Sequence, residues 1–141
     1  VELDPTFIPA YANHADFLRR QGRDDVAEER LLAALEVDPQ SAAINHALGL
    51  TLVRRKSLDE ALVHLRLASE VSPEDARYAY VYAVALESSG QLREAIDILT
   101  TAYQRNPGNP DIITALASYH MKQGNQEKAR EYLGKLKALE Q

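Results

Sequence analysis

The hydrophobic pattern of residues 76–90, ARYAYVYAVALESSG, fits two kinds of element when it is taken alone. Tyr78, Tyr80 and Tyr82 alternate with small apolar residues, which is typical of a half-buried strand. In a helix, by contrast, residues 78 and 82 lie about 40° apart on one face, and residue 80 points about 200° away from residue 78. The rest of the chain has to decide between the two.

A 34-residue period runs through the chain and favours helices. Internal repeats of this length are typical of stacked helix hairpins. Prolines recur every 34 residues, and columns of small and of large apolar residues keep the same spacing. These columns are Pro5, Pro39, Pro73 and Pro107; Ala15, Gly49, Ala83 and Ala117; Ala27, Ala61, Ala95 and Ala129; and Leu31, Leu65, Leu99 and Leu133.

Each period predicts two helices. A first segment of about 13 residues ends near Gly22, Gly90 and Gly124, and glycine closes helices in the left-handed conformation. A second segment ends at the repeating proline, which lacks an N–H donor. The small columns let the two helices approach, and the leucine column fills the space between them.

The opening segment is therefore predicted to be the first helix of the third repeat. Tyr78 and Tyr82 share columns with aliphatic residues, so we expect both to be buried between neighbouring repeats. The column of Tyr80 holds Ala12, His46 and Thr114, a mixed set that predicts contact with solvent or with a ligand.

With this hairpin period and these columns, the chain resembles the tetratricopeptide repeat family. The resemblance implies an all-α, right-handed superhelical solenoid of helix–turn–helix repeats. The predicted repeats are residues 8–41, 42–75, 76–109 and 110–141, in one continuous domain. Residues 1–7 are predicted to be the tail of a preceding repeat, so we expect the native protein to extend upstream.

Three residues depart from the family pattern. Lys56 replaces the interhelix glycine of the second repeat, and only Tyr11 keeps the bulky aromatic found early in the first helix. His120 takes a position that leucine holds in the other repeats. The resemblance therefore predicts the turn of the second repeat and the packing of the fourth repeat least well.

The resemblance also implies a binding groove lined by the first helices. One family subgroup clamps the C-terminal carboxylate of heat-shock chaperones, but neither register of this chain reproduces that clamp. An apolar stripe covered by its own neighbours is the alternative to a ligand-binding groove. The expected groove residues are Asn13, Asp16, Arg20, His46, Leu50, Val53, Arg54, Arg77, Tyr80, Val81, Val84, Glu87, Thr114 and Ser118.

Composition narrows the classes of function. The 141 residues are 45% hydrophobic and 26% charged, which is ordinary for a soluble domain with a core. A formal net charge of -5 gives no electrostatic reason to bind nucleic acid. There is no cysteine, and no apolar run approaches the roughly 20 residues that cross a bilayer, so direct membrane insertion is not expected. A cytoplasmic or a periplasmic module is equally compatible with the sequence.

The candidate chemistry points away from catalysis. The four histidines lack metal-ligand spacing, and the chain has no nucleophile elbow, phosphate loop or paired-carboxylate motif. We expect no metal, no cofactor and no enzyme activity. Basic residues near the ends of first helices are interpreted as compensating the helix dipole, with an anion site as the alternative. They are Arg19, Arg20, Arg23, Arg54, Arg55 and Lys56.

The sequence thus predicts a noncatalytic protein–protein interaction scaffold that binds a peptide or helix of another protein in its groove. The alternative is a structural element that stacks end to end with neighbouring repeats or with itself. In that case weak self-association would use the exposed face of the first repeat, with Ala10, His14 and Phe17.

Overall fold

The structure, a computed structural model, describes residues 8–141, with side chains from residue 10 onward. The described residues form helices without strands, and the segment 76–90 is the predicted helix, Ala76–Ser88, followed by its turn. The first compact unit ends at Ser72 and the second begins at Pro73. The predicted tail at residues 1–7 lies outside the described part. The helices are α1 (Ile8–Arg20), α2 (Asp24–Val37), α3 (Ala42–Arg54), α4 (Leu58–Val71), α5 (Ala76–Ser88), α6 (Leu92–Arg105), α7 (Pro110–Lys122) and α8 (Gln126–Leu139).

Local sequence signals explain where the first helices begin. Ser41, Asp75 and Asn109 are the N-caps of α3, α5 and α7, and each side chain accepts a hydrogen bond from a backbone N–H of the first turn. Ser41 Oγ, for example, accepts from the N–H of Ile44 at 3.2 Å. These three helices begin 34 residues apart, at Ala42, Ala76 and Pro110.

The turns between paired helices share one backbone conformation. Gly22, Gly90 and Gly124 have φ of 76°, 85° and 84°, and Lys56 has φ of 63° at the equivalent place. The N–H of Lys56 donates to the carbonyl of Val53 at 3.1 Å, as the glycine N–H does in the other turns. Because the left-handed region disfavours residues with a Cβ, the second repeat keeps the turn at a cost in backbone strain.

Small residues set the distance between α3 and α4 in the first unit. A Cβ built on Gly49 would lie 2.5 Å from Cγ and Cδ2 of Leu65, which is fully buried. A polar contact adds to this packing, because Asn45 Oδ1 lies 2.9 Å from His64 Nδ1. Burial lowers the pKa of His64, and nearby Glu60 opposes that shift.

Aromatic rings contribute to the packing of α6, α7 and α8 in the second unit. Tyr132 meets the edge of Tyr103 at 5.4 Å between centroids and stacks on His120 at 5.7 Å. His120 is buried at the position where the other repeats have leucine, and its burial, together with Lys128, lowers the pKa of the imidazole. Tyr82 is buried as predicted, whereas Tyr78 is only half-buried.

Candidate functional site

In the first unit, charged residues of α1 form ion pairs with one another. Asp16 contacts two arginines, with Oδ2 at 2.9 Å from Nη2 of Arg20 and Oδ1 at 3.2 Å from Nη2 of Arg19. Asn13 and Arg20 are exposed, and Asp16 is half-buried. These three predicted groove residues therefore lie on one surface, where the carboxylate is already neutralised by cations of its own helix.

The predicted residues of α3 divide between the surface and the core. Leu50 is half-buried and Val53 is 41% exposed. Arg54 contacts α2, with its Nε at 2.9 Å from Asp24 Oδ1, and its Nη2 donates to the carbonyl of Arg19 at 3.3 Å. His46 differs from the expectation of solvent or ligand contact because its side chain is only 4% exposed. It lies on a helix that contacts α1, α2 and α4, so much of the surface of α3 is covered.

Arg19 has a role that the sequence did not reveal. Only 6% of it is exposed, and its Nη1 donates to the carbonyl of Ala47 at 3.2 Å and to Thr51 Oγ1 at 3.1 Å. Burial lowers the pKa of the guanidinium, and the Asp16 carboxylate opposes that shift. The interpretation of Arg19 as a solvated, dipole-compensating cation is therefore wrong, since it joins α1 to α3. One signal was available: Thr51 is polar in a column that otherwise holds Phe17, Ala85 and Tyr119.

In the second unit, α5 and α7 form the walls of a pocket of about 270 Å³. Three of the predicted groove residues, Tyr80, Thr114 and Ser118, line it together. The pocket is completed by residues that the sequence analysis did not select, namely Asp111, Ala115 and Tyr119. Tyr119 lies in the column of Phe17, Thr51 and Ala85, which a column argument assigns to packing, so its contribution was missed.

The other predicted residues of α5 do not line this pocket. Arg77 is exposed, whereas Val81 and Val84 are half-buried. Glu87 forms an ion pair with α7, with its Oε1 at 2.7 Å from Lys122 Nζ. This pair ties the C-terminal turns of α5 and α7 together.

The electrostatic environment keeps the Tyr119 phenol neutral. Burial raises the pKa of Tyr119 to about 12, and Glu87 and Tyr80 add to the shift. Nζ of Lys122 lies 5.6 Å from the centroid of the Tyr119 ring. The pocket thus has a carboxylate, several neutral hydroxyls and an aromatic ring that already contacts one cation.

Within residues 8–141, the structure offers no grouping of three His, Asp or Glu side chains that could coordinate a metal ion. No described helix has both the length and the apolar character needed to span a membrane. The chemistry that the pocket can provide is hydrogen bonding, ion pairing and aromatic contact with a ligand.

Comparisons with known proteins agree on one family. Models described as tetratricopeptide repeat match residues 13–68 and 86–141. BBSome complex member BBS4 of Bos taurus is 29% identical over 127 residues, which are 85% of this chain and 24% of that protein. TPR repeat-containing thioredoxin TTL4 of Arabidopsis thaliana is 31% identical over 120 residues, which are 85% of this chain and 17% of that protein. The chain thus spans about a quarter or less of these two relatives.

Solved structures share the fold. A crystal structure of MamA superposes with a TM-score of 0.86 at 20% identity, covering 97% of this chain and 80% of the other. MamA from Desulfovibrio magneticus RS-1 gives a TM-score of 0.83 at 22% identity, covering 97% and 76%. At such identities the likeness shows the fold alone. It confirms the predicted fold class, an all-α helical-repeat solenoid.

Proposed function

Because the chain belongs to the tetratricopeptide repeat family, we propose that it is a noncatalytic protein-interaction scaffold that binds a peptide or helix of a partner on its first helices. Family membership supports the interaction role. One relative is named as a member of a complex, the BBSome, which agrees with such a role.

The observation that carries the proposal is the pocket between α5 and α7. Tyr80, Thr114 and Ser118 are at groove positions that the family resemblance implies, and they line one cavity. Concave sites with a few convergent polar groups are the usual binding places of proteins. We propose that Arg77, Val81, Val84 and Glu87 flank the bound segment in the second unit.

The first unit contributes less to binding in this proposal. Leu50 and Val53 give its first helices an apolar surface, with Asn13, Asp16, Arg20 and Arg54 as polar neighbours. The three charged residues among these, Asp16, Arg20 and Arg54, already form ion pairs inside the unit. In this proposal His46 does not contact the ligand, because its side chain is buried; it contributes to the packing of α3.

The experiment is a selection of binding peptides from a random phage-displayed library against the full chain. Thr114→Arg fills the pocket with a large side chain, and we expect it to weaken the selected peptides at least tenfold. The matched control is Thr101→Arg, an exposed threonine on the second helix α6. As surface substitutions, both should change stability by no more than about 0.5 kcal/mol. Peptides that bind Thr114→Arg as well as the wild type would contradict the proposal.

One observation favours the alternative of self-association. Phe17 is 53% exposed, and its ring stacks against the exposed His14 with centroids 6.3 Å apart. An exposed aromatic pair offers an apolar contact to another copy. Mass measured by light scattering over a range of concentrations tests this, since Phe17→Ser should abolish any concentration-dependent increase. A mass that does not depend on concentration would contradict it.

A further inference from the structure

The size of the α5–α7 pocket limits what can enter it. Its volume of about 270 Å³ is below the usual range of sites for whole small molecules, which is roughly 300–1,000 Å³. A single long side chain of a bound segment is an occupant of suitable size. The small side chain of Ala115 leaves room between the polar residues on the pocket wall.

The charge of the pocket selects the type of side chain. Asp111 is exposed, and within the described residues its carboxylate forms no ion pair. The carboxylate is also not the N-cap of α7. That role belongs to Asn109, whose Oδ1 accepts hydrogen bonds from the backbone N–H groups of Asp111 and Ile112 at 3.0 and 3.1 Å. Asp111 lies in the first turn of α7, where a carboxylate suits the positive end of the helix dipole. Because the carboxylate has no paired cation among the described residues, it can also form charge-assisted hydrogen bonds with a cationic partner.

The remaining lining groups suit a donor-rich cation. Thr114, Ser118 and Tyr80 each offer a hydroxyl oxygen that accepts hydrogen bonds. A guanidinium carries five N–H donors and no acceptor, so a carboxylate together with several hydroxyls can satisfy it. Its planar fork pairs with a carboxylate through two parallel bonds, which the single ammonium of lysine cannot reproduce.

The aromatic ring of the pocket points to the same occupant. Nζ of Lys122 lies 5.6 Å from the centroid of the Tyr119 ring. Glu87 neutralises this cation through an ion pair, with its Oε1 at 2.7 Å from Nζ. Guanidinium groups stack on tyrosine faces. The formal net charge of -5 adds an attraction for basic segments at longer range.

We propose that this pocket receives an arginine side chain of the partner segment, with the guanidinium against Asp111 and the tyrosine rings. The inference rests on the proposed function, since it names the chemistry of the segment that the same site binds. A citrulline side chain has nearly the same shape but no charge, so it separates recognition of charge from recognition of shape.

The test uses the full chain and the peptide acetyl-Gly-Ser-Arg-Ser-Gly-amide, followed by ¹H–¹⁵N correlation NMR. We expect saturable chemical-shift changes at the backbone amides of Thr114, Ala115 and Ser118. The affinity derived from them should be at least tenfold lower for the citrulline peptide. Asp111→Asn should weaken the arginine peptide at least fivefold, and Asp111→Glu should restore part of the affinity. The matched control, Asp97→Asn, changes an exposed aspartate on α6 and should leave the affinity unchanged.

Equal binding of the citrulline peptide, or an absence of shifts at these amides up to millimolar peptide, would overturn the inference. The phage-selected peptides separate this failure from failure of the proposed function. Selected peptides that lack arginine and tolerate Asp111→Asn, but are lost in Thr114→Arg, would leave the scaffold function standing and remove the arginine assignment. A library that yields no peptide would contradict the scaffold function itself.

Discussion

The two compact units differ in which residues of their first helices are open to a ligand. In the first unit, charged residues of these helices are engaged within the fold: Asp16 contacts Arg19 and Arg20, and Arg54 contacts Asp24. In the second unit, Tyr80 and its neighbours line an open pocket. A repeat column therefore predicts where a residue lies on its helix, but not whether that residue is free to bind.

The helix pairs also differ in what stabilises them. Arg19 joins α1 to α3 through buried hydrogen bonds, and Arg55 joins α3 to α2 through a 2.8 Å ion pair with Glu28. In the second unit, Tyr103 and His120 pack against Tyr132. Polar contacts need defined geometry, whereas rings contribute mainly by buried area. The substitutions below test this difference.

The largest effect is expected from Tyr132→Ala in the second unit. Tyr132 is 7% exposed and contacts two rings, so its removal leaves a cavity and should lower the free energy of unfolding by about 3 kcal/mol. Tyr132→Phe keeps the ring and should lose less than about 1 kcal/mol. Urea unfolding followed by circular dichroism measures both. Equal losses for the two variants would show that the hydroxyl, rather than the ring, stabilises this unit.

A smaller effect is expected from Arg19→Ala in the first unit. This substitution removes the donor to Ala47 and Thr51, and hydrogen bonds from charged groups predict a loss of about 2 kcal/mol. Arg20→Ala is the matched control, because its side chain is 78% exposed and contacts the same aspartate. The control should stay within about 0.5 kcal/mol of the wild type in the same urea experiment. Similar losses in both variants would place the stabilisation in the ion pairs with Asp16.

The interhelix turns of the two units allow a matched pair of substitutions, in which lysine and glycine are exchanged at equivalent positions. Lys56→Gly removes the Cβ from a residue in the left-handed conformation and so relieves its backbone strain. It should raise the free energy of unfolding by up to about 1 kcal/mol. Gly90→Lys introduces the same strain and should lower it by about 1 kcal/mol. A Cβ at Gly90 meets no atom within 4 Å, so the backbone alone determines the cost. Thermal midpoints check the exchange, and a destabilised Lys56→Gly would contradict it.

The smallest effect at neutral pH is expected from His120→Leu, which should act mainly on the pH dependence of stability. Burial and Lys128 lower the pKa of His120 in the folded state, so below about pH 6.5 the unfolded state binds more protons. Stability should therefore fall as the pH drops below about 6.5, and level off below the folded pKa. His120→Leu should reduce this acid sensitivity, measured as urea midpoints from pH 8 to 5. A variant whose urea midpoint depends on pH as steeply as that of the wild type would contradict the account. His64, whose pKa is also lowered, remains as a second source of acid sensitivity.

The repeat period was sufficient to predict the helices, the three glycine turns and much of the apolar core. The prolines, the glycines and the small residue at Gly49 act through local backbone and packing constraints, which a single sequence displays directly. The same period could not predict that Arg19 is buried, because its acceptors lie 28 and 32 residues away and depend on the neighbouring helix.

The candidate site was predicted only in part for a related reason. Tyr80, Thr114 and Ser118 lie in columns that face a ligand in the family pattern, and the structure brings them together. Asp111 shares a column with the expected groove residue Arg77, so the repeat pattern offered it, whereas Tyr119 comes from a column that a repeat argument assigns to packing. The shape of a pocket depends on the sizes of side chains on two neighbouring helices. A single repeat column describes one position on one helix and does not show this combination.

Hydrogen exchange of the full chain, measured by mass spectrometry with and without a phage-selected peptide, tests most directly the claim that binding is concentrated in the second unit. The account predicts that the peptide slows exchange in α5 and α7 and leaves α1 and α3 unchanged. Protection confined to α1 and α3, with none in α5 or α7, would contradict it.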